Sequence, residues 1–326
     1  MSKKSILCIC AVCLAVAMLA GVLVVSLRLD RQAAPEQEIV GLEDVIEHDG
    51  KTYHVKRNYE TVLVMGLDKY EGQIDNSAYS NDQQADFLIL YVFDHDNKTC
   101  TPIHLNRDTM VDMDVLGVAG QKIGTVNAQL ALAHTYGNGQ KVSCRNTMNA
   151  VSGLLLDARI DHYVSVTMDA VAKINDLVGG VTVEVLEDIP NMPELTKGSI
   201  VTLTGEQALR YVRARWYVAD SSNLNRMNRQ RQYLNALFDQ ARACIEKDAN
   251  FATSAFVEMD GLMVTDFTVE KMQYIQQRTS KYEMKEIRDL KGDAILGERF
   301  MEFYVDEDAL LQLVIDVFYE VEKSDE

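Results

Sequence analysis

The 326-residue chain has no pair of Cys-x-x-Cys motifs, which removes the usual frame of a structural zinc site. Cys100, Cys144 and Cys244 are an odd, sparse set, and no disulfide framework. Proline is scarce, at 4 residues; with 47% hydrophobic and 25% charged residues this argues against wholesale disorder and for one main domain with a substantial core. Positive charge is also short: 32 Lys and Arg stand against 49 Asp and Glu, a net charge of -17. Such a chain repels nucleic acid and anionic surfaces, so any anion site must be a local exception. A Gly-x-x-x-x-Gly-Lys-Ser/Thr loop, a His-Glu-x-x-His helix, a Gly-x-Ser-x-Gly elbow and a dinucleotide glycine fingerprint are all missing. The 6 histidines are scattered, and His134, in an apolar segment, reads as a packed side chain rather than a ligand.

An unbroken apolar run from Ile6 to Val25 follows Lys3 and Lys4 and precedes Arg28 and Arg31. At ~1.5 Å per residue it crosses a bilayer as a helix. It runs on through Val22 to Val25 where a cleaved signal would show small residues, which favours an uncleaved anchor with the acidic bulk outside the cytoplasm. Cys8, Cys10 and Cys13 lie in this run as small apolar residues. The expected organisation is a cytoplasmic tip and anchor over 1–28, a juxtamembrane spacer over 29–58 with an early strand near Tyr53 to Val55, and a folded domain over 59–326. Apolar, β-branched content predicts strands at Thr61–Gly66, Phe87–Phe93, Thr101–Leu105, His162–Thr167 and Val181–Val185. Helical patterns cover Asn127–Tyr136, Cys144–Leu156, Asp169–Leu177, Arg226–Lys247, Val269–Arg278 and Glu307–Val321. Gly179 and Gly180 stop the third. Alternating strands and helices imply a layered α/β domain with a largely buried sheet.

The local exception is Arg210 to Arg231, where Arg210, Arg213, Arg215, Arg226, Arg229 and Arg231 accompany one acid, Asp220. If Tyr211–Trp216 is extended, Arg213 and Arg215 share a face; on the next helix Arg226, Arg229 and Gln230 share another. Guanidinium forks suit a diphosphate, although a solvated basic face paired with carboxylates fits the spacing equally well. Asp68 follows one strand and Asp86 begins another; adjacent strands would place both carboxylates at one sheet edge, where two such oxygens suit Mg²⁺, whereas singly each reads as a cap or turn residue. Asn106-Arg107-Asp108-Thr109 reads either as one more phosphate arginine or as a surface turn with an internal ion pair. Lys122 and Asn127 flank a glycine-containing segment before a helical pattern, where backbone amides and the helix dipole would favour an anion.

In order, Val62-Leu63-Val64-Met65-Gly66-Leu67-Asp68, Ala85-Asp86, Leu105-Asn106-Arg107-Asp108-Thr109, Ala133-His134-Thr135-Tyr136-Gly137, Ile160-Asp161-His162-Tyr163, Leu177-Val178-Gly179-Gly180-Val181, Leu203-Thr204-Gly205-Glu206-Gln207-Ala208-Leu209 and Arg226-Met227-Asn228-Arg229-Gln230 resemble successive blocks of the LytR-CpsA-Psr family of cell-wall enzymes. The resemblance implies a three-layer α-β-α sandwich with a central mixed sheet, preceded by one N-terminal transmembrane helix. It further implies an extracytoplasmic, single-pass phosphotransferase that moves a glycopolymer, such as teichoic acid or capsule, from a polyprenyl-diphosphate carrier to peptidoglycan. By motif position Asp68 and Asp86 would bind Mg²⁺. Arg107, Arg213, Arg215, Arg226 and Arg229 would contact phosphate with Gln230 nearby, and Lys122 is a further substrate-binding candidate. Asp68, Arg107 and Arg213 are the catalytic candidates, Asp68 as proton acceptor.

The chain departs from the family pattern at Lys69, at Gln84 where an arginine is frequent, at Phe87 where threonine is frequent and at Asn223 where aspartate is common. Those departures permit a binding module for lipid-linked polymer; a separate alternative is a hydrolase of the same diphosphate, with water as acceptor. The anchor and the acidic charge argue against transcription regulation and nucleic acid as a partner.

Overall fold

The computed structural model describes residues 41–68, 83–117, 119–214, 223–248, 250–279 and 281–322. The apolar run Ile6–Val25 lies outside them, as do Lys69, Arg215 and Asp220. Among the described residues no helix is long and apolar enough to cross a membrane.

In chain order the elements are strands β1 (Val45–His48), β2 (Lys51–Val55), β3 (Tyr59–Leu67), β4 (Ala85–Asp94), β5 (Thr99–Leu105), β6 (Met110–Leu116) and β7 (Lys122–Gln129), a 3₁₀ turn over Leu130–Thr135, helix α1 (Lys141–Leu154), β8 (His162–Thr167), α2 (Asp169–Leu177), β9 (Val181–Glu184) and β10 (Ile200–Leu203). There follow α3 (Gly205–Arg213), α4 (Asn223–Lys247), α5 (Phe251–Glu258), β11 (Met263–Thr265), α6 (Val269–Thr279), β12 (Glu283–Met284), β13 (Arg288–Asp289), β14 (Gly292–Leu296), β15 (Met301–Val305), α7 (Glu307–Phe318) and β16 (Tyr319–Val321). The fold is mixed α/β. Each strand expected from apolar content lies within or at β2, β3, β4, β5, β8 or β9.

By contact density the described residues fall into two compact units, one of 41–67, 83–163 and 285–322, the other of Asp68 and Val164–Met284. In the first, β3, β4 and β5 form an antiparallel run, Leu63 opposite Leu90 and Leu90 opposite Ile103, and β13 joins β5 in parallel, which makes the sheet mixed. All nine residues of β3 are buried. Val62, Leu63, Met65, Leu88, Ile89 and Phe93 are wholly inside, and each fully buried apolar side chain contributes roughly 1.5–3 kcal/mol. The continuous apolar runs in the sequence arise from this burial on both faces.

The same unit holds two corrections. The helix expected over Asn127–Tyr136 is the end of strand β7 followed by the 3₁₀ turn; β7 pairs with β6 over Met110–Leu116. The apolar spacing of Leu130, Leu132 and Ala133 imitates a helix, but the partner strand lies upstream, where no local pattern announces it. The helix expected over Glu307–Val321 stops at Phe318. Asp306 caps its start by accepting the Ala309 amide at 2.9 Å, while Tyr319–Val321 turn extended and pair with β2. A small sheet, β1-β2-β16, therefore joins early and late chain, and the Tyr319 hydroxyl donates to the Glu43 carbonyl at 2.8 Å.

In the second unit, β8 pairs with β11 from Val164 to Val166, and β9 pairs with β10. As expected, α2 ends before Gly179 and Gly180, whose φ values of 82° and 94° only glycine adopts without cost. Helix α3 begins against α2 so closely that Gly205 is required. Its amide donates to Asp176 at 2.8 Å, and a Cβ there would stand 2.7 Å from the Ala172 carbonyl oxygen and 2.6 Å from the Asp176 carboxylate. Gly205→Ala should therefore cost roughly 1–3 kcal/mol, read as a fall in Tm. An unchanged Tm would mean that α2 and α3 separate freely.

Candidate functional site

In the first unit the β3–β4 register shifts at its end. Gly66 faces Phe87 and Leu67 faces Ala85, so Asp86 is the extra residue of a bulge. A bulge re-aims the side chain it carries. Asp86 accepts a close hydrogen bond from Arg107, which follows the end of β5. The Arg107 fork is filled further: one Nη donates to Gln84 at 2.7 Å, and Nε faces the Asp108 carboxylate at 3.4 Å. Both side chains of the Asp86–Arg107 pair are nearly buried, at 14% and 12% exposure. Asp108 is itself held by Gln129, which donates at 3.0 Å. The Asn106–Thr109 turn thus carries its internal ion pair, but as a buried turn rather than a surface one. Gln84, a departure from the family pattern, is a working partner of Arg107.

Beneath this cluster, His134 donates from Nδ1 to the Gln83 carbonyl at 3.1 Å, with Cys144 Sγ at 3.8 Å from Nε2. Burial pushes its pKa down to about 4, against the smaller opposing effect of the Gln83 hydrogen bond. The ring is therefore neutral, packed as the sequence reading has it, and anchors the backbone that leads into Gln84 and Asp86.

Lys122 does not stand at a helix start. It begins β7 and pairs with Asp114 at 2.6 Å, while Asn127 donates to Asp112 at 2.8 Å. The helix dipole invoked for an anion there is missing, because the segment is a hairpin.

In the second unit Arg213 is the last residue of α3, and donates to Asp68 at 3.1 Å. Both are partly exposed, 33% and 45%. Tyr211–Arg213 is helical, so Arg213 sits on a helix end rather than on the strand face it was expected to share with Arg215, which lies outside the described residues. The cause is local. Thr204 and Gln207 form a capping box, and Ala208, Tyr211 and Val212 bury one stripe. The Thr-x-x-Gln spacing was legible in the sequence.

Arg226, Arg229 and Gln230 share the buried face of α4. Arg229 is 1% exposed, and three protein groups accept from it. Nε donates to the Tyr211 carbonyl at 3.0 Å, and the two terminal nitrogens make close contacts with the Glu187 carboxylate and the Ala214 carbonyl. Gln230 donates to the Val212 carbonyl at 3.3 Å. No sequence pattern singles out Glu187.

Among the described residues no group of three or more His, Cys, Asp and Glu is placed to hold a metal ion. Asp68 and Asp86 are hard oxygen donors of the kind Mg²⁺ takes when phosphate oxygens and water complete its shell, so the donor chemistry fits that ion.

The LytR_cpsA_psr family model matches residues 26–312. The chain belongs to the LytR-CpsA-Psr family. It is 26% identical over 259 residues to the Bacillus licheniformis protein named polyisoprenyl-teichoic acid–peptidoglycan teichoic acid transferase TagU, covering 79% of this chain and 76% of that one. TagV of Bacillus subtilis, with the same transferase name, is 27% identical over 255 residues, 74% of this chain; the aligned part is 59% of TagV, under two thirds of its length. The crystal structure of B. subtilis TagV matches with a TM-score of 0.59 over 80% of this chain and 96% of that chain, at 26% identity. A structure of TagT bound to LIIa-WTA shares the fold at 21% identity, with a TM-score of 0.60 over 85% of this chain and 97% of that chain.

Proposed function

We propose that this LytR-CpsA-Psr chain is a phosphotransferase that moves a glycopolymer from a polyprenyl-diphosphate carrier to peptidoglycan, leaving a phosphodiester. The transferase names of TagU and TagV support the reaction class. The observation that carries the reading to residues is the pairing of two arginines with the two motif carboxylates, Arg107 with Asp86 and Arg213 with Asp68. Phosphoryl transfer needs charge neutralisation and alignment more than a protein nucleophile, and a guanidinium held in place by a carboxylate offers both.

In this reading a peptidoglycan hydroxyl attacks the phosphorus bonded to the sugar polymer. The new P–O bond forms as the bond to prenyl phosphate breaks, the hydroxyl proton passes to a base, and prenyl phosphate leaves. Arg107 and Arg213 bind phosphate oxygens, and Asp68 is the candidate proton acceptor. Arg215 and Arg226 stand as further phosphate contacts. Asp68 and Asp86 would hold Mg²⁺, which supplies further neutralisation of the diphosphate when bound. The run Ile6–Val25 anchors the chain, with the bulk extracytoplasmic.

The full chain in detergent, given Mg²⁺ and a prenyl-diphosphate-linked sugar, should release prenyl phosphate only when peptidoglycan is added. Binding without release would replace the transferase with a binding module, and release without acceptor would make it a hydrolase.

A further inference from the structure

Helices end with carbonyls that lack partners. At the end of α3 these carbonyls are met from α4. Arg229 donates to Tyr211 and to Ala214, and Gln230 to Val212. One guanidinium thus spans the last turn of α3 and the residue beyond it, held from its far side by Glu187. Three of its five N–H donors are thereby taken, one on each nitrogen: a carbonyl on Nε, the Glu187 carboxylate on one terminal nitrogen and a second carbonyl on the other. Its neighbour across this turn is Arg213, whose side chain reaches Asp68.

We propose that Arg229 and Glu187 are positioning residues: together they cap α3 and so fix where the Arg213 guanidinium stands, and Arg229 does not itself contact substrate. The geometry favours this over a direct phosphate contact, because turning Arg229 toward a ligand would strip two carbonyls and a nearly buried carboxylate of their donor. Lysine at 229 keeps the charge but presents a single point where three directed contacts are needed. Glu187 acts only through Arg229, so it separates the two roles. In a positioning role its loss harms the site. In a contact role its loss frees Arg229 for phosphate.

The test uses full-length protein in detergent, with amide hydrogen exchange and calorimetric binding of farnesyl diphosphate. Glu187→Gln and Arg229→Lys should each speed exchange of the Arg213 and Ala214 amides about tenfold, as expected for a lost charge-assisted hydrogen bond, with α2 unchanged. Both should weaken farnesyl diphosphate binding, and neither should weaken it further in an Arg213→Ala background. The proposal fails if Glu187→Gln leaves those amides at the wild-type rate, if exchange rises uniformly across the unit, or if Glu187→Gln preserves or improves affinity while Arg229→Lys adds its loss to that of Arg213→Ala. The affinity arm rests on the diphosphate reading above. Should the wild type not bind farnesyl diphosphate, that reading falls, and exchange decides alone: acceleration confined to the end of α3 upholds the cap, and its absence overturns it.

Discussion

Arg107→Ala is expected to lower prenyl phosphate release by roughly 10³-fold or more, the scale on which arginines act in phosphoryl transfer. It should also destabilise the fold. Arg107 lies between Asp86, Gln84 and Asp108, and removing the cation from a nearly buried pair leaves carboxylates uncompensated, at a cost of about 3–5 kcal/mol. The two effects separate in Arg107→Lys. The ammonium restores charge next to Asp86 and Asp108, so Tm should recover largely. It cannot span Asp86, Gln84 and Asp108 or grip phosphate with two parallel donors, so turnover should recover little. Rates are to be compared per folded molecule, with the folded fraction read from the thermal transition. A wild-type rate in folded Arg107→Ala would remove this residue from the chemistry and leave it a structural tie between strand end and turn.

The second large effect is on stability against pH. His134 keeps its proton off in the native state until about pH 4, because burial disfavours the charged ring, whereas the unfolded chain takes it up near 6.5. Between those values the unfolded state binds more protons, so stability rises with pH. The contribution is fully present above 6.5, is lost as pH falls from 6.5 to 4, and changes no further below that. Its size is about 3 kcal/mol. Unfolding free energies of wild type and His134→Gln should therefore differ in slope between pH 6.5 and 4. Parallel curves over that range would show that His134 titrates alike in both states. Since His134 grips the Gln83 carbonyl, acid unfolding of wild type should begin near the strand end that carries Gln84 and Asp86.

What could be read from the chain follows from how local each signal is. Strands β3 and β4 announce themselves as unbroken apolar runs, because burial on both faces leaves no polar alternation. The β6–β7 hairpin does not, since its pairing is set by a partner strand rather than by period, and the spacing around Leu130 imitates a helix. Helix α3 is marked in the sequence at its start, by the Thr204 and Gln207 capping box, and not along its arginine-bearing end. At the site, Asp86 and Arg107 are each legible from their places at strand ends, but their contact is not; it spans 21 residues. Arg229 with Glu187 spans 42 and depends on how α4 meets the end of α3. No linear pattern encodes that. Gln84 was marked only as a departure, because its value lies in the fork it completes.

The β1-β2-β16 sheet has a consequence in time. The Tyr319 hydroxyl that closes onto the Glu43 carbonyl is 276 residues away along the chain. At a synthesis rate of ~5–20 residues per second, roughly 15–55 seconds separate the two. A β1–β2 hairpin formed during that interval leaves one edge uncovered, and a bare edge recruits foreign strands. The hairpin is thus open to mispairing until a segment made much later covers it, so it must be shielded during emergence or stay unformed until Tyr319–Val321 arrive.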